Sequence, residues 1–455
     1  MIGMTLGRIA ACCGGVYFGE EEKKETEVTG IAIDSRKVKK GGLFIPIRGE
    51  RVDGHSFIPS VMEAGALACL SEQKLDDAAG AYILVGSTKE ALKKIAAYYR
   101  RMLGIPVVGI TGSVGKTSTK EMIASVLKEK FCVHKTAGNF NNEIGLPLTI
   151  FEIRQEHEIA VLEMGISDFG EMHTLAEIAN PDICVITNIG LCHLENLKTR
   201  DGILKAKTEA FDHMRRDGIV ILNADDDKLA SVHKVNGKEP MRYGLKQGDA
   251  YASDIVSLGM EGIRMKLHVG EQFRTVTIPI PGEHNAYNAL AAACVGCACG
   301  MELEEICRGI ETVETISGRS HFIQKNGITV IDDCYNANPV SMCASLDVLG
   351  QAEGRKIAVL GDMGELGEQE VSLHAKVGRY AAEQKIDLLF AAGKLSKELV
   401  RAAQSGGESH LVAEHFETKE ELLQALLPEI KKGDTLLVKA SHFMEFPKIV
   451  AALIR

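Results

Sequence analysis

A glycine-rich loop between an apolar strand and an amphipathic helix constrains this chain more than any other feature. The apolar run Val107–Thr111 leads into the loop Gly112-Ser113-Val114-Gly115-Lys116-Thr117-Ser118. The segment after the loop places apolar residues on one helical face, among them Met122 and Ile123. Glycines let backbone N–H groups approach phosphate oxygens, a lysine adds positive charge, and a threonine hydroxyl can bind Mg²⁺. The sequence therefore predicts a nucleotide-phosphate site at the start of this helix.

The loop is a variant of the usual phosphate-binding pattern. The strict spacing would place glycine at position 110, where Ile110 stands. A tight turn between strand and helix is the alternative interpretation, and it accounts for the glycines. It does not account for Lys116 and Thr117 at the start of the helix, so nucleotide binding is favoured.

The strands around this loop indicate a doubly wound α/β domain. Short apolar runs at 107–111, 159–164, 183–188 and 219–223 alternate with helix-length segments, as expected of buried parallel strands. Between residues 241 and 281 the pattern changes to strict polar and apolar alternation, which predicts an antiparallel hairpin added to this domain.

Two further blocks flank the central one, as a chain of 455 residues leads us to expect. Residues 1–103 mix short strands with helices. After Gly318 an α/β rhythm resumes with strands at 329–332, 356–361, 388–392 and 435–439, which predicts a Rossmann-like domain. The predicted fold class is α/β with three domains: 1–103, 104–317 and 318–455.

Polar residues follow the central strands at the points where those strands end. Glu163 closes one strand, and His193 follows the next. Ligands bind at the carboxyl ends of strands in open α/β sheets, which brings these residues to the edge that holds the loop. We therefore predict that Glu163 and His193, with Thr117, are ligands of Mg²⁺. Taken singly, each would be read as a solvated or capping residue.

Composition and cysteine usage exclude several other classes of protein. The formal charge of −10 disfavours general binding to nucleic acid or anionic membranes. No run reaches the 18 apolar residues of a membrane span, and the apolar stretch near the N-terminus is too short for a signal peptide, so we expect a cytoplasmic protein. Cys294, Cys297 and Cys299 lie in the small-residue run 289–300 and are predicted to be reduced thiols on a buried helix, with no zinc site.

Three segments together resemble the Mur ligase family over essentially the whole chain. They are the loop 111–117, the segment Gly138-Asn139-Phe140-Asn141-Asn142-Glu143-Ile144-Gly145-Leu146-Pro147, and the segment Asp333-Cys334-Tyr335-Asn336-Ala337-Asn338-Pro339. They are most similar to the family members that add D-alanyl-D-alanine. The resemblance implies a UDP-binding N-terminal domain, a central P-loop ATPase and a Rossmann-like C-terminal domain, in agreement with the three blocks above.

The resemblance also implies roles for nucleotide-binding residues. It places His284, Asn285 and Asn288 around the adenine, Arg319 at the phosphates and Asp333 at the ribose. From the residues alone, the segment 282–285 would be read as a helix N-cap. Lys207 aligns with a lysine that is carbamylated in the family, whereas the sequence alone favours a surface lysine on a helix.

The substrates that the resemblance implies are ATP, a UDP-N-acetylmuramoyl-tripeptide and D-alanyl-D-alanine, and we expect a monomer. The implied substrate-binding residues are Ser35, Arg36, Asp53, Gly54 and His55 for the UDP-sugar, together with Asn139, Asn142, Tyr335, Asn336, Asn338 and Lys439. The segment 438–442 departs from the family, because Ala440 and His442 stand where glycine and arginine are usual. This departure puts anion binding at His442 in doubt, because a neutral imidazole lacks the two-pronged donor geometry of a guanidinium.

The implied reaction joins a carboxylate to an amine through an acyl phosphate. Lys116, Lys207, His193 and Glu163 are the candidate catalytic residues. Two alternatives remain open at this point: a ligase for another carboxylate, such as folylpolyglutamate, and a binding module that uses the P-loop as a nucleotide switch. Whether the third residue of the peptide is lysine or diaminopimelate is also open.

Overall fold

A computed structural model describes residues 1, 3–76, 80–405 and 410–455 of the chain. Their strands form three sheets that follow one another along the sequence. The predicted class, α/β with three domains, is confirmed, whereas the boundaries at 103/104 and 317/318 stay predictions. None of the described helices is long and apolar enough to cross a membrane.

The N-terminal sheet is small and mostly parallel. Its strand order is β1-β5-β4-β3-β2, with β1 antiparallel to β5 and the other pairs parallel. The strands are β1 Val16–Phe18, β2 Ile31–Ala32, β3 Leu43–Phe44, β4 Ala68–Ser71 and β5 Tyr82–Leu84. The helices are α1 Leu6–Cys13, α2 Ile58–Glu63 and α3 Thr88–Leu103. Val28 lies before β2, and its N–H donates to the Met4 carbonyl.

The central sheet has the order β14-β13-β12-β11-β10-β9-β6-β8-β7. Strands β6 Val107–Thr111, β7 Val133–Lys135, β8 Ile159–Glu163, β9 Ile183–Ile186, β10 Ile219–Asn223 and β11 Met241–Gly244 are parallel neighbours. The sheet continues through β12 Ala250–Ser257, β13 Ile263–Val269 and β14 Gln272–Ile278. Strands β13 and β14 form the predicted antiparallel hairpin, and β11 and β12 join it to the parallel strands.

Helices cover both faces of the central sheet. They are α4 Lys116–Lys128, α5 Gly145–Phe151, α6 Glu171–Ala179, α7 Leu194–Leu197, α8 Arg200–Thr208, α9 Asp227–Ala230, α10 His284–Ala298 and α11 Leu303–Glu311. The small residues of α10 allow it to pack closely against α4. Cys294 is buried on α10 as predicted, with Cys297 on the same helix and Cys299 at its end half-buried.

The C-terminal sheet has the order β15-β16-β20-β17-β18-β19, with only β15 antiparallel among the described strands. Its strands are β15 His321–Lys325, β16 Ile328–Asp332, β17 Lys356–Gly361, β18 Leu388–Ala392, β19 Val412–Phe416 and β20 Thr435–Lys439. Its helices are α12 Pro339–Gly350, α13 Glu370–Glu383, α14 Ser396–Gln404, α15 Lys419–Glu429 and α16 Pro447–Leu453. Strands β15 and β19 were not predicted from the sequence, because these edge strands are only partly buried and lack a continuous apolar run.

Candidate active site

The glycine loop links β6 to α4, and neighbouring side chains fix its shape. Gly112 has a φ of 148°, and a Cβ at that position would lie 1.9 Å from Thr187 Oγ1. The Thr187 hydroxyl donates to the Val114 carbonyl at 2.6 Å, and the Val114 N–H donates to Asn188 Oδ1 at 3.0 Å. The end of β9 therefore holds the loop in place. Asn188 is the last residue of the apolar run predicted at 183–188, and Thr187 was not assigned a role from the sequence.

Lys116 occupies the first turn of α4, where the loop ends. Its ammonium donates to the Gly112 carbonyl at 2.8 Å, an internal contact that closes the loop. Burial lowers the pKa of Lys116, an effect opposed by the negative charge of Glu163. Arg319 reaches the loop from the start of the C-terminal block, and its Nη2 lies 3.4 Å from Thr117 Oγ1. The predicted phosphate site thus carries two cations.

Glu163 ends β8 beside the loop, because the register of β6 and β8 pairs Ile110 with Glu163. The carboxylate is buried, and its Oε1 accepts a hydrogen bond from Asn141 Nδ2 at 2.8 Å. Its Oε2 lies 3.8 Å from the ammonium of Lys120 and has no hydrogen-bond partner among the described residues. One carboxylate oxygen is therefore held in place and the other is free to accept.

Asn141 and Lys120 were not assigned a role from the sequence. Asn141 belongs to the segment 138–147, which carries the family resemblance. Its place in that segment could have indicated a functional role. Lys120 lies one helical turn after Lys116 and is buried, with its ammonium 2.7 Å from the Thr136 carbonyl and 3.1 Å from Glu121 Oε1. The spacing of four residues places Lys120 on the same helical face as Lys116. The sequence does not show that Lys120 is buried, so this spacing alone was a weak indication of a role.

His193 and Glu365 meet between the central and C-terminal blocks. His193 Nδ1 lies 2.6 Å from Glu365 Oε2, a contact distance for a ring nitrogen and a carboxylate oxygen, although the two groups are not aligned as donor and acceptor. The contact with His193 lowers the pKa of Glu365. Glu365 was missed by the sequence analysis, because its partner lies about 170 positions away in the chain.

Lys207 lies on α8 with no exposed surface, and its ammonium has no hydrogen-bond partner within the described ranges. The alternative that it is a surface lysine is therefore wrong. Burial lowers the pKa of Lys207 to about 8, and the charge of Lys116 acts in the same direction, while Cys192 opposes the shift. Lys207 thus has an unusually large neutral fraction near physiological pH.

A cavity of about 270 Å³ adjoins the loop between the central and C-terminal blocks. It brings together loop residues, the start of α10, the two residues before β15 and the first turns of α12. The sequence-predicted residues on its wall are Val114, Gly115, Ser118, His284, Asn288, Arg319, Asp333 and Lys439. Tyr243, Tyr287 and Val340 also line it and were not predicted. The loop and this cavity together fit a nucleotide whose phosphates lie at α4.

Asn285 lies just behind the cavity wall and supports it. Its Nδ2 donates to the Pro281 carbonyl at 2.8 Å, and its Oδ1 accepts from Asn288 Nδ2 at 2.9 Å. Helix α10 begins at His284, and the side chain of Glu283 makes no capping hydrogen bond. The segment 282–285 therefore forms the start of α10, as the N-cap interpretation predicts, and contacts of its residues with the adenine stay predictions.

Asp333 and Lys439 form a buried pair at the carboxyl ends of β16 and β20. Lys439 Nζ donates to Asp333 Oδ2 at 2.6 Å and to the Asn336 carbonyl at 3.2 Å. The guanidinium of Arg319 stacks over the ring of Tyr335 at 4.0 Å. The ring of Tyr335 also lies near His442, with the centroids 5.6 Å apart. Contacts of Lys439, Tyr335 and Asn336 with substrate stay predictions.

The two predicted UDP-sugar segments follow neighbouring parallel strands. Ser35 and Arg36 lie in a 3-10 turn after β2, and Gly54 and His55 lie in another that follows β3. Asp34 holds the exposed Arg36 through Nε at 2.9 Å and Nη2 at 2.8 Å. Asp53 Oδ1 lies 2.7 Å from His55 Nδ1 and also accepts from the His55 N–H at 3.0 Å. The topology places both turns at one edge of the N-terminal sheet.

Of the four asparagines predicted to bind substrate, Asn139, Asn142 and Asn338 differ in their surroundings. Asn139 is exposed. Asn142 Oδ1 accepts from the N–H of Gly145 at 2.8 Å at the start of α5, and Asn338 Oδ1 accepts from the N–H of Ser341 at 2.9 Å as the cap of α12. The side chains of Asn142 and Asn338 therefore stabilise helix starts, and their contacts with substrate stay predictions.

The fold and site define a three-domain protein with a phosphate-binding loop and a cavity beside it between the central and C-terminal domains. Family models match the chain in three stretches: the Mur ligase family catalytic domain at 27–112, the Mur ligase middle domain at 110–296, and the Mur ligase glutamate ligase domain at 318–442. The chain belongs to the Mur ligase family. The resemblance predicted from the motifs is confirmed.

Within the family, the chain is similar over its full length to one kind of ligase. The chain is 40% identical over 459 aligned residues to the UDP-N-acetylmuramoyl-tripeptide--D-alanyl-D-alanine ligase of Bacillus subtilis, covering 100% of this chain and 99% of the relative. It superposes on the crystal structure of MurF from Acinetobacter baumannii with a TM-score of 0.90 and 34% identity, over 99% of this chain and 98% of that one. MurF from Thermotoga maritima, crystallised with ADP, is similar with a TM-score of 0.82 and 30% identity, over 93% and 96% of the two chains.

Proposed function

We propose that this chain is an ATP-dependent ligase that joins D-alanyl-D-alanine to the terminal carboxylate of a UDP-N-acetylmuramoyl-tripeptide. The observation that carries the proposal is the end-to-end similarity to relatives of that name. The glycine loop and the cavity beside it supply the nucleotide site that the reaction needs. Because ATP and UDP-linked precursors are cytoplasmic compounds, we place the reaction in the cytoplasm.

The residues beside the loop fit a divalent cation. Glu163 Oε2 is buried, lies 3.8 Å from the ammonium of Lys120 and lacks a hydrogen-bond partner within the described residues, so its lone pairs are open to a cation or a donor. Described residues do not group three or more His, Cys, Asp or Glu side chains as a ready-made site. Mg²⁺ fits this arrangement, since it is usually held by one or two carboxylates together with water and substrate phosphates. Glu163, His193 and the Thr117 hydroxyl would hold it, and when bound it would neutralise phosphate charge.

Lys207 is proposed to work as a carbamate. Its neutral Nζ would attack the carbon of CO₂ and lose a proton, giving an anion where an unpartnered ammonium now lies. Desolvation makes the neutral amine available. A carbamate also reverses the sign of the charge next to the cation site, where an ammonium would be repelled.

The first chemical step activates the carboxylate, because a carboxylate is a poor acyl donor. The terminal carboxylate of the tripeptide attacks the γ-phosphorus of ATP, and ADP leaves with the electrons of the broken bond. Lys116, Arg319 and the N–H groups at the start of α4 lie where charge develops on the phosphates. The chain's part in this step is to orient the phosphates and to stabilise their charge.

The second step forms the peptide bond. The amino group of D-alanyl-D-alanine attacks the acyl carbon of the acyl phosphate, loses a proton and expels inorganic phosphate. Water would destroy this intermediate, so the cleft must exclude it. Arg319 contacts the loop and lines the cavity, as expected if closure of the C-terminal domain shields the reaction.

One assay tests the proposal against the alternatives. ADP release is measured with the purified chain against a panel of UDP-muramoyl peptides, folates and amines. We expect release only when a UDP-muramoyl-tripeptide and D-alanyl-D-alanine are both present. Release with a folate and glutamate would indicate the other ligase, and ATP hydrolysis without any amine would indicate a nucleotide switch. Lysine- and diaminopimelate-containing tripeptides in the panel identify the third residue.

A further inference from the structure

The contact between His193 and Glu365 joins the central domain to the C-terminal domain at the candidate metal site. His193 follows β9, and Glu365 lies in the loop after β17. Their Nδ1 and Oε2 atoms are 2.6 Å apart. His193 Nε2 forms no hydrogen bond to any residue the structure describes, so the second ring nitrogen remains available to a ligand.

Both partners adopt a backbone conformation that their residue types disfavour. His193 has a φ of 50° and Glu365 a φ of 62°, in the left-handed region that glycine enters at far lower cost. Non-glycine residues held in this region cluster at functional sites. Two such residues paired with each other across a domain boundary indicate that their side chains are needed there.

The loop that carries Glu365 is firmly supported from within its own domain. The Met363 N–H donates to the buried His374 at 2.9 Å, and the Gly364 N–H donates to Ser441 Oγ at 2.9 Å. The next residues lie against the segment after His193, since a Cβ on Gly367 would be 3.6 Å from the Glu195 Cα. The Glu365 carboxylate is therefore presented to His193 by a fixed frame.

We propose that Glu365 is a positioning residue, which holds the His193 ring through Nδ1 so that Nε2 faces the divalent cation. This inference rests on the proposed metal-dependent function. Histidines that bind metals commonly donate their second ring N–H to a carboxylate, which fixes the tautomer and raises the basicity of the ligating nitrogen. His193 Nδ1 and Glu365 Oε2 are close enough for this bond but not yet aligned for it, and a cation bound at Nε2 would turn the ring into alignment. Because the carboxylate comes from the C-terminal domain, cation binding and closure of that domain favour each other.

The test measures metal affinity instead of ligation. Binding of Mn²⁺ to the full-length chain with saturating ADP is followed by the electron paramagnetic resonance signal of free Mn²⁺. We expect Glu365→Ala to weaken Mn²⁺ binding about 10- to 100-fold. The matched control is Glu368→Ala, which removes the same charge from an exposed position on the same loop and should leave the affinity unchanged. Unchanged affinity in Glu365→Ala would overturn the inference.

A double-mutant comparison distinguishes positioning from direct ligation. If Glu365 acts through His193, the double variant of His193→Ala and Glu365→Ala binds Mn²⁺ no more weakly than His193→Ala alone. If the two substitutions lower the Mn²⁺ affinity independently, so that the double variant shows the sum of both losses in binding free energy, the proposal is contradicted. Glu365→Gly suits the positive φ, so its thermal stability should match or exceed that of the wild type while its Mn²⁺ affinity falls.

Failure of the proposed function can be told apart from failure of this inference. If Mn²⁺ binds more weakly to Glu365→Ala and normally to Glu368→Ala, but the chain joins a different pair of substrates, only the assignment of substrates is wrong. Ligation of the expected substrates with unaltered Mn²⁺ binding in Glu365→Ala would remove the role of Glu365 and leave the function in place.

Discussion

Replacement of Lys207 by methionine should stabilise the resting protein while removing its activity. Lys207 is fully buried and its ammonium has no hydrogen-bond partner within the described part of the chain. In the absence of CO₂ and metal, the folded protein must bury this charge or release its proton. Methionine has a similar length and no charge, so it fills the same space without that cost.

The size of the effect follows from the pKa of Lys207. Burial lowers this pKa from 10.5 to about 8. At pH 7 the unfolded chain therefore binds the proton more tightly than the folded protein, by roughly 3 kcal/mol. For a domain of about 200 residues, that free energy corresponds to a rise in Tm of about 6–12 °C in Lys207→Met.

The pH dependence of stability tests separately whether Lys207→Met stabilises the protein for this reason. Between pH 8 and 10.5 the unfolded state holds more protons than the folded state, so wild-type stability rises with pH across this window. The advantage of Lys207→Met should therefore be largest below pH 8 and vanish above about 10.5.

Calorimetry in CO₂-depleted buffer with a chelator measures both the change in Tm and its dependence on pH. The matched control is Lys205→Met, on the same helix but exposed, and its Tm should not change beyond about 1 °C, as is usual for surface substitutions. A Lys207→Met variant that is less stable than the wild type at pH 7, or whose stability difference does not vary with pH, would refute the reasoning.

Other consequences concern the phosphate loop and the carbamate. Lys116→Ala should lower kcat of ligation by about 10²–10³ with the fold retained, measured by ADP release; more than half the wild-type rate would remove the loop from the mechanism. Lys207→Ala should lose most activity, and added short carboxylic acids should restore part of it by filling the anion site, whereas no response at any acid concentration would count against the carbamate. Gly112→Ala should displace the loop, since the new Cβ meets Thr187 Oγ1 at 1.9 Å, and weaken ATP binding in calorimetry; Gly30→Ala, with open space around it, is the control and should bind ATP normally.

Local patterns in the sequence determined much of this protein. The apolar runs predicted β6, β10, β17 and β20, because buried parallel strands need continuous apolar residues whatever lies around them. The phosphate-binding role of the glycine loop was also predicted from the sequence, because glycines followed by lysine and threonine at the start of a helix are typical of phosphate-binding loops. Strand β15 was missed, since an edge strand exposes half of its side chains and carries only a weak pattern.

Tertiary structure alone decided the state of the charged groups. Lys207 and Lys205 are both lysines on α8, and only the packing of the helix buries the first and exposes the second. The pairing of His193 with Glu365 and of Asp333 with Lys439 joins residues more than 100 positions apart. The physical reason is that pKa, burial and pairing depend on distances between elements, whereas sequence periodicity reports only which face of a single element is apolar.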